Sequence, residues 1–173
     1  MARHSVRALI IHDGSMLFIK EERSEIGTYY ALPGGAQEAD ETLEEALRRE
    51  CREELGLEIA AGQLVCVREY ISRNHEYSFI MKEVHAIDYM FECSVVHDLD
   101  HSEQEASHAD VGQIGVEWLP VEQISQSLQQ QVGGLIRLPV AAYRFPLTTE
   151  QFLYEYLVAQ HPVEPYKSEV FGR

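Results

Sequence analysis

The chain has 173 residues, of which 45% are hydrophobic and 25% charged, and its formal net charge is −15. This length and composition suit a globular fold with a sizeable core, and we predict a single domain over residues 1–160 followed by an extended tail over residues 161–173. The acidic balance opposes bulk binding to nucleic acid or to an anionic membrane surface, because basic patches supply that affinity.

Nothing in the sequence indicates export or a membrane span. No apolar run approaches the ~18 residues needed to cross a bilayer. The N-terminal apolar run ends at Asp13 and Gly14 with no small-residue cleavage site, so it predicts a strand and not a signal peptide. The cysteines, Cys51, Cys66 and Cys93, show no zinc-binding spacing, which predicts buried, reduced thiols in a cytoplasmic protein.

Hydrophobic alternation and turn residues divide the chain into segments. The Asp13-Gly14 pair predicts a hairpin turn, and residues 85–96 alternate apolar and polar side chains. We predict strands at 6–12, 16–20, 29–32, 64–71, 77–81, 85–96 and 115–119, helices at 43–55, 121–128 and 149–160, and loops at 21–28 and 97–112. Strands, then one central helix, then more strands and helices favour an α+β domain with a mixed sheet.

The segment after Thr42 carries a full set of helix signals. Thr42 is a good N-cap, and Glu45, three positions later, completes the capping-box pattern. Gly56 supplies the stop. At about 100° per residue, Leu47 and Cys51 fall on one apolar stripe. The segment is therefore predicted to be an amphipathic helix with one buried face.

The carboxylates of Glu50, Glu53 and Glu54 lie on the flank of this stripe, within about 6 Å of helix rise. Uncompensated carboxylates at a buried face are costly, so a positive partner is expected. Arg49 lies four residues before Glu53 and can hold that side chain. Hard oxygen ligands gathered in this way suit Mg²⁺ or Mn²⁺. The alternative is a solvated acidic helix whose carboxylates pair only with its arginines.

The segment from Gly35 to Leu57 resembles the Nudix box of the Nudix hydrolase family (MutT-like). In that box a glycine and a glutamate precede, at fixed spacing, the string Arg-Glu-U-x-Glu-Glu-x-Gly-U, where U is a bulky aliphatic residue. The matching residues are Gly35, Glu41, Arg49, Glu50, Glu53, Glu54, Gly56 and Leu57. Cys51 departs from the pattern at the first aliphatic position, where a buried free thiol behaves as a small hydrophobe.

The resemblance implies the family's αβα sandwich, with the box helix packed on a mixed sheet. It also implies a pyrophosphohydrolase that cleaves a nucleoside diphosphate linked to another moiety, by attack of a metal-activated water on phosphorus. Glu50 and Glu54 are the expected principal metal ligands, with Glu53 as a further ligand or as the partner of Arg49. The Gly35 carbonyl is expected to complete the coordination, because glycine lets the backbone come close.

The same resemblance implies roles for other residues. Glu41 is expected to fix Arg49 and the loop before the helix. The general base is expected in the later polar loop, where the candidates are Glu103 and Glu105, with His101 or His108 as alternatives. The residues expected to bind the substrate are Gly34, Gly35, Tyr29 and Arg23. A solvated acidic surface is the alternative for the loop, and core packing is the alternative for the aromatic side chain.

The sequence leaves the substrate open. No proline lies between Leu57 and Pro120, whereas one commonly follows the box in the ADP-ribose branch, and residues 73–75 lack the tyrosine typical of the dinucleoside polyphosphate branch. A nucleotide sensor that binds without cleaving is the rival function, although the intact box disfavours it. The expected partner is a small nucleotide derivative, with no nucleic acid and no membrane, and a homodimer stays open.

Overall fold

The computed structural model describes residues 2–74, 84–98, 112–132, 147–159 and 166–167. Within these ranges the chain forms two compact units. The first unit takes in the described residues within 1–10, 33–108 and 164–173, and the second takes in those within 11–32 and 109–163. A single domain over 1–160 with a tail over 161–173 stays a prediction, and Tyr166–Lys167 is the described part of that tail.

The described elements follow the predicted order, except that the short strand at Tyr166–Lys167 was not predicted. They are β1 (Arg3–His12), β2 (Ser15–Arg23), β3 (Gly27–Ala31), α1 (Leu43–Leu55), β4 (Leu57–Ile71), β5 (His85–Asp98), β6 (Gln113–Pro120), α2 (Val121–Val132), α3 (Leu147–Leu153) and β7 (Tyr166–Lys167). A 3₁₀ turn occupies Ser72–Asn74, and a π-helical turn at Tyr154–Val158 continues α3. None of the described helices is long and apolar enough to cross a membrane.

A mixed sheet organises the first unit. β5 lies between β1, to which it is parallel, and β4, to which it is antiparallel. β7 pairs with β4 in parallel. Ala8, Leu9 and Ile10 of β1 are buried in succession, as expected where a strand is covered on both faces, whereas Arg7 before them is partly exposed.

Helix α1 begins and ends where the sequence predicts. Thr42 Oγ1 accepts the Glu45 N–H at 3.2 Å, and Glu45 Oε2 accepts the Thr42 N–H at 2.7 Å, which together form the capping box. Gly56 adopts the left-handed conformation, with φ 66° and ψ 29°, and closes the helix. The helix packs on β4, and its fully buried side chains are Ala46, Leu47 and Cys51.

An antiparallel sheet organises the second unit. β2 pairs with β3, with β6 and with the last residues of β1. Asp13 and Gly14, both with positive φ, form the turn between β1 and β2, so the predicted hairpin is confirmed. The helices α2 and α3 both contact the π-helical turn, and their buried side chains include Ile124, Leu128 and Leu153.

Several predicted boundaries are wrong, and pairing explains the strand errors. The sequence predicts a loop over 21–28, but β2 runs to Arg23 because it pairs with β3 as far as Arg23↔Gly27. The sequence predicts a strand from 64, but β4 begins at Leu57 because its ladder with β5 absorbs an irregularity between Ala61 and Leu64. The helix predicted at 121–128 extends to Val132, and the one predicted at 149–160 is Leu147–Leu153 followed by the π-helical turn.

The remaining predictions concern the cysteines and the segments at 77–81 and 97–112. Cys51, Cys66 and Cys93 are free and buried, which confirms the predicted thiols, and burial raises the pKa of Cys93 to about 12. The strand predicted at 77–81 lies outside the described residues. Most of the loop predicted at 97–112 also lies outside them, and its first two residues belong to β5.

Candidate active site

A glycine turn lies along β1 in the first unit. The Ala8 N–H donates to the Pro33 carbonyl at 2.8 Å, and the Val6 N–H donates to the Gly35 carbonyl at 2.9 Å. These bonds hold the turn against the strand. They also determine where its peptide groups point, which matters because the turn leads into α1.

Both glycines of the turn are required by the close approach of other groups. Gly34 has φ 127°, a conformation that side-chain-bearing residues rarely adopt. A Cβ at Gly34 would overlap the carbonyl oxygen of Val6. A Cβ at Gly35 would overlap the carboxylate of Glu50. The turn therefore offers bare backbone at the point where an acidic side chain of α1 arrives.

Two carboxylates of α1 meet this turn. Glu54 Oε2 accepts the Gly34 N–H at 2.8 Å. Glu50 packs directly against Gly35, and its side chain is only 14% exposed. The two glutamates are four residues apart, which puts them one above the other on the same helix face. The structure thus brings Glu50, Glu54, Gly34 and Gly35 together.

Arg49 joins several acidic residues of α1 and of the loop before it. We call Glu41, Arg49, Glu50, Glu53 and Glu54 the box cluster. Arg49 Nη2 and Nε donate to the two oxygens of Glu41 at 2.8 and 3.2 Å. Its Nη1 donates to Glu50 Oε1 at 2.9 Å and to Glu53 Oε2 at 3.3 Å. The contacts predicted between Arg49 and both Glu41 and Glu53 are therefore present, and the bond to Glu50 adds a third.

Burial and Arg49 together determine the electrostatics of this cluster. Burial raises the pKa of Glu50 above its ordinary value, and the hydrogen bond from Arg49 opposes that rise. The hydrogen bond from Arg49 lowers the pKa of Glu41. A cation placed beside Glu50 would offset the cost of keeping its half-buried carboxylate ionised.

The oxygen atoms at the turn fit a hard divalent cation. Glu50 and Glu54 supply carboxylate oxygens, and the Gly35 carbonyl has a second lone pair beyond its backbone hydrogen bond. Such oxygens, with waters and a substrate phosphate, suit Mg²⁺ or Mn²⁺. Across the part of the chain that the structure describes, no three His, Cys, Asp or Glu side chains converge on one point. Glu53, whose side chain is 47% exposed, turns toward Arg49 instead.

The remaining predicted site residues lie either in the second unit or outside the described residues. Tyr29 and Arg23 lie in the second unit, where the Tyr29 hydroxyl donates to Glu21 and accepts from Arg23 Nε at 3.1 Å. Burial, reinforced by the bond to Glu21, raises the pKa of Tyr29 to about 12. Glu103, Glu105, His101 and His108 lie outside the described residues.

A separate charged group in the second unit, which we call the strand cluster, consists of Lys20, Tyr30 and Glu117. Lys20 Nζ donates to Glu117 Oε1 at 2.6 Å, and the Tyr30 hydroxyl donates to Glu117 Oε2 at 2.7 Å. Lys20 and Tyr30 are directly opposed on β2 and β3. Cross-strand pairing therefore assembles this cluster. In it, one ammonium and one hydroxyl donate to the same carboxylate.

Arg7 and Asp88 border the site, and sequence reasoning misses both of them. Arg7 Nη1 donates to the Gly34 carbonyl at 2.5 Å, and its Nε lies 3.7 Å from Asp88 Oδ1. Asp88 is only 6% exposed and lies 3.7 Å from Arg68 Nη2 on its other side. The signal available in the sequence is weak, because Asp88 is one of several polar residues in an alternating strand.

Comparison with known proteins shows to which family the turn and the helix that follows it belong. A family model described as NUDIX domain matches residues 1–138, which is most of the chain and includes the whole box cluster. The chain belongs to the NUDIX family.

Individual relatives agree with this assignment. The chain is 37% identical over 95 residues to the nucleoside triphosphatase NudI of Enterobacter sp. (strain 638), a match that covers 53% of this chain and 67% of that one. The structure resembles the Mutator MutT protein from Bacillus halodurans with a TM-score of 0.61 and 15% identity, over 96% of this chain and 88% of that one. It resembles an ADP-ribose pyrophosphatase from Streptococcus suis with a TM-score of 0.55 and 15% identity, over 97% and 98% of the two chains.

These comparisons confirm the predicted fold class and the predicted enzyme class of this NUDIX protein. The fold is an α+β sandwich of the Nudix type with a mixed sheet. At the level of the family, the protein is a hydrolase that acts on phosphoanhydride bonds. Members of the family generally use divalent metal ions and act on small molecules derived from nucleotides.

Proposed function

We propose that this NUDIX protein is a Mg²⁺- or Mn²⁺-dependent pyrophosphohydrolase that cleaves a nucleoside diphosphate linked to another moiety. The observation that carries the proposal is the meeting of Glu50 and Glu54 with the Gly34–Gly35 turn. Carboxylate oxygens beside bare backbone provide ligands on one side of a cation. The other side stays available for waters and for phosphate oxygens of the substrate.

The residues of the box cluster have separate roles in this proposal, and Glu41 fixes Arg49 through two hydrogen bonds. Glu50 and Glu54 hold the cation, and the Gly35 carbonyl is a further ligand. Glu53 is either an additional ligand or the partner of Arg49. Arg49 orients Glu50 through their 2.9 Å hydrogen bond. A bound divalent cation neutralises charge on the phosphates and lowers the pKa of the attacking water.

The reaction itself is the hydrolysis of a phosphoanhydride. The oxygen of a water molecule bonds to one phosphorus atom, and the bond between that phosphorus and the bridging oxygen breaks. The proton of the water passes to a base, which we propose is Glu103 or Glu105, with His101 or His108 as alternatives. The products are a nucleoside monophosphate and the second phosphorylated product.

A nucleoside triphosphate is the first substrate to test. The Enterobacter relative is named a nucleoside triphosphatase, and a nucleoside triphosphate is a nucleoside diphosphate linked to phosphate. The absence of a proline between Leu57 and Pro120 also favours it over ADP-ribose. We keep Gly34, Tyr29 and Arg23 as proposed substrate-binding residues. Buried free cysteines support the proposal that the protein acts in the cytoplasm, and a homodimer stays a prediction.

A hydrolysis screen tests the proposed function. The full-length protein is incubated with nucleoside triphosphates, nucleotide sugars and dinucleotides, with Mg²⁺, with Mn²⁺ and with EDTA, and the products are separated by chromatography. We expect metal-dependent release of a nucleoside monophosphate, abolished by EDTA. Tight nucleotide binding without turnover across the whole panel would overturn the proposal and favour the sensor.

A further inference from the structure

Gly34 is held by hydrogen bonds on both sides of its α-carbon. Its N–H donates to Glu54 Oε2 at 2.8 Å, and its carbonyl accepts from Arg7 Nη1 at 2.5 Å. These atoms belong to consecutive peptide groups, which are linked by the φ and ψ angles of Gly34. Glycine has little intrinsic preference among those angles. Contacts must therefore fix these angles: the bond from the Ala8 N–H to the Pro33 carbonyl orients the peptide group that carries the Gly34 N–H, and the bond from Arg7 holds the next peptide group of the turn.

Arg7 is itself held in place from β5. Its Nε lies 3.7 Å from Asp88 Oδ1, and its side chain is 27% exposed. The buried carboxylate of Asp88 needs nearby positive charge, which Arg7 supplies at Oδ1 and Arg68 Nη2 supplies at Oδ2, each at 3.7 Å. The pair therefore keeps the guanidinium over the turn, with its Nη1 directed at Gly34.

We propose that Arg7 is a positioning residue for the metal site, acting through the Gly34 carbonyl to hold the turn that binds Glu54, with Asp88 holding Arg7. The inference rests on the proposed function, because that proposal names Glu54 as a metal ligand. Groups that orient a metal ligand change the metal affinity by ~10- to 100-fold when they are removed. Arg7 is thus expected to strengthen metal binding without touching the metal.

The positive charge of Arg7, taken alone, predicts the opposite effect, namely that Arg7 weakens metal binding. Arg7 lies close enough to Glu50 to lower the pKa of that carboxylate, so its guanidinium repels a cation bound there. If charge were its whole contribution, removing Arg7 would tighten cation binding. If Arg7 positions the turn, removing it weakens cation binding. The sign of the change in affinity therefore separates the two accounts.

The experiment measures Mn²⁺ binding to the full-length protein without nucleotide, by electron paramagnetic resonance of the free ion. The variants are Arg7→Gln, Arg7→Lys and Asp88→Asn. Arg3→Gln is the matched control, because Arg3 is exposed and lies on the same face of β1. Circular dichroism and thermal unfolding check that each variant is folded.

We expect the Kd for Mn²⁺ to rise at least ~10-fold in Arg7→Gln and to stay unchanged or fall slightly in the Arg3→Gln control. Arg7→Lys should also bind weakly, because a lysine keeps the charge but lacks the fork that spans Gly34 and Asp88. Asp88→Asn should weaken binding to a smaller extent, since Arg7 keeps its bond to Gly34.

A folded Arg7→Gln protein that binds Mn²⁺ as tightly as the wild type, or more tightly, would overturn the inference. If that variant does not fold, Arg7→Lys and Asp88→Asn decide by the same criterion. A wild type that binds Mn²⁺ yet hydrolyses no nucleotide would contradict the proposed function alone. The positioning role of Arg7 would then still be judged on the affinities.

Discussion

In the box cluster one guanidinium, that of Arg49, contacts three carboxylates, and Glu54 adds a fourth. In the strand cluster the Lys20 ammonium meets the single carboxylate of Glu117, and the Tyr30 hydroxyl satisfies its other oxygen. The two clusters look alike in composition, because each combines at least one acidic residue with one basic residue. Their charge balance differs, and an excess of negative charge is what a cation site needs.

The two clusters also differ in what lies beside them. Glu50 and Glu54 face glycine backbone, where a ligand can approach closely. The strand cluster is built from side chains paired across neighbouring strands, an arrangement that stabilises a sheet. We therefore propose that the box cluster binds a cation and that the strand cluster supports the sheet, and the following predictions test that division.

Glu54→Gln should produce the largest effect. The substitution keeps the shape of the side chain and a hydrogen-bond acceptor for the Gly34 N–H, but it removes a charged metal ligand. A metal supplies several kcal/mol of transition-state stabilisation, so kcat/KM should fall at least about a hundredfold. Thermal unfolding should change little.

Glu44→Gln is the control for that experiment. Glu44 lies on the same helix, where it pairs with Arg48 and is exposed, so its loss removes one negative charge away from the turn. Its kcat/KM should stay within about twofold of the wild type, as expected for a surface ion pair. Wild-type turnover by Glu54→Gln at saturating Mg²⁺ would refute the assignment of Glu54.

Gly34→Ala should destabilise the fold more than Gly27→Ala does. Both glycines have positive φ, and that conformation costs a residue with a Cβ about 1–2 kcal/mol. Gly27 has open space around it, whereas a Cβ at Gly34 would also overlap the Val6 carbonyl. Urea unfolding should show a clearly larger loss of stability for Gly34→Ala. Equal losses would mean that the close approach of the turn to β1 contributes nothing.

Glu117→Gln should produce the smallest effect. The hydrogen bonds from Lys20 and Tyr30 lower the pKa of Glu117, so its ionised form stabilises the folded state. That contribution is fully present well above the ordinary carboxyl pKa of about 4.3 and is lost as the pH falls through the lower folded value. The stability difference between wild type and Glu117→Gln should therefore vanish in acid, while kcat/KM at neutral pH stays unchanged. A large loss of activity would show that the strand cluster also serves catalysis.

Helix α1 and its contacts could be predicted because local rules determine them. Thr42, Glu45 and Gly56 carry capping signals that act within a few residues of the chain, and the three-to-four-residue period sorts the carboxylates onto one flank. The hydrogen bond from Arg49 to Glu53 follows from the same helical period, because the two residues are four positions apart. Helix geometry therefore led to the acidic flank of the candidate site, whereas the roles of Gly34, Gly35 and Glu41 were implied by the resemblance to the Nudix box.

Contacts between distant strands could not be predicted in this way. β4 begins at Leu57 because it pairs with β5 from Leu57 to Ile71, with register shifts at three places, and that long-range pairing leaves no local signal before Leu64. Arg7 meets Gly34 because the turn lies along β1, 27 residues away in sequence. No periodicity within either segment encodes that meeting, so the positioning role proposed for Arg7 depends on the structure.

The central claim is that Glu50 and Glu54 bind a divalent cation at the Gly34–Gly35 turn. Anomalous diffraction from crystals soaked in Mn²⁺ tests it most directly. If the two glutamates bind the cation, an anomalous peak should lie about 2.1 Å from a carboxylate oxygen of each of them. A fully soaked crystal with no peak at the turn, and with both carboxylates still bonded only to protein groups, would contradict it.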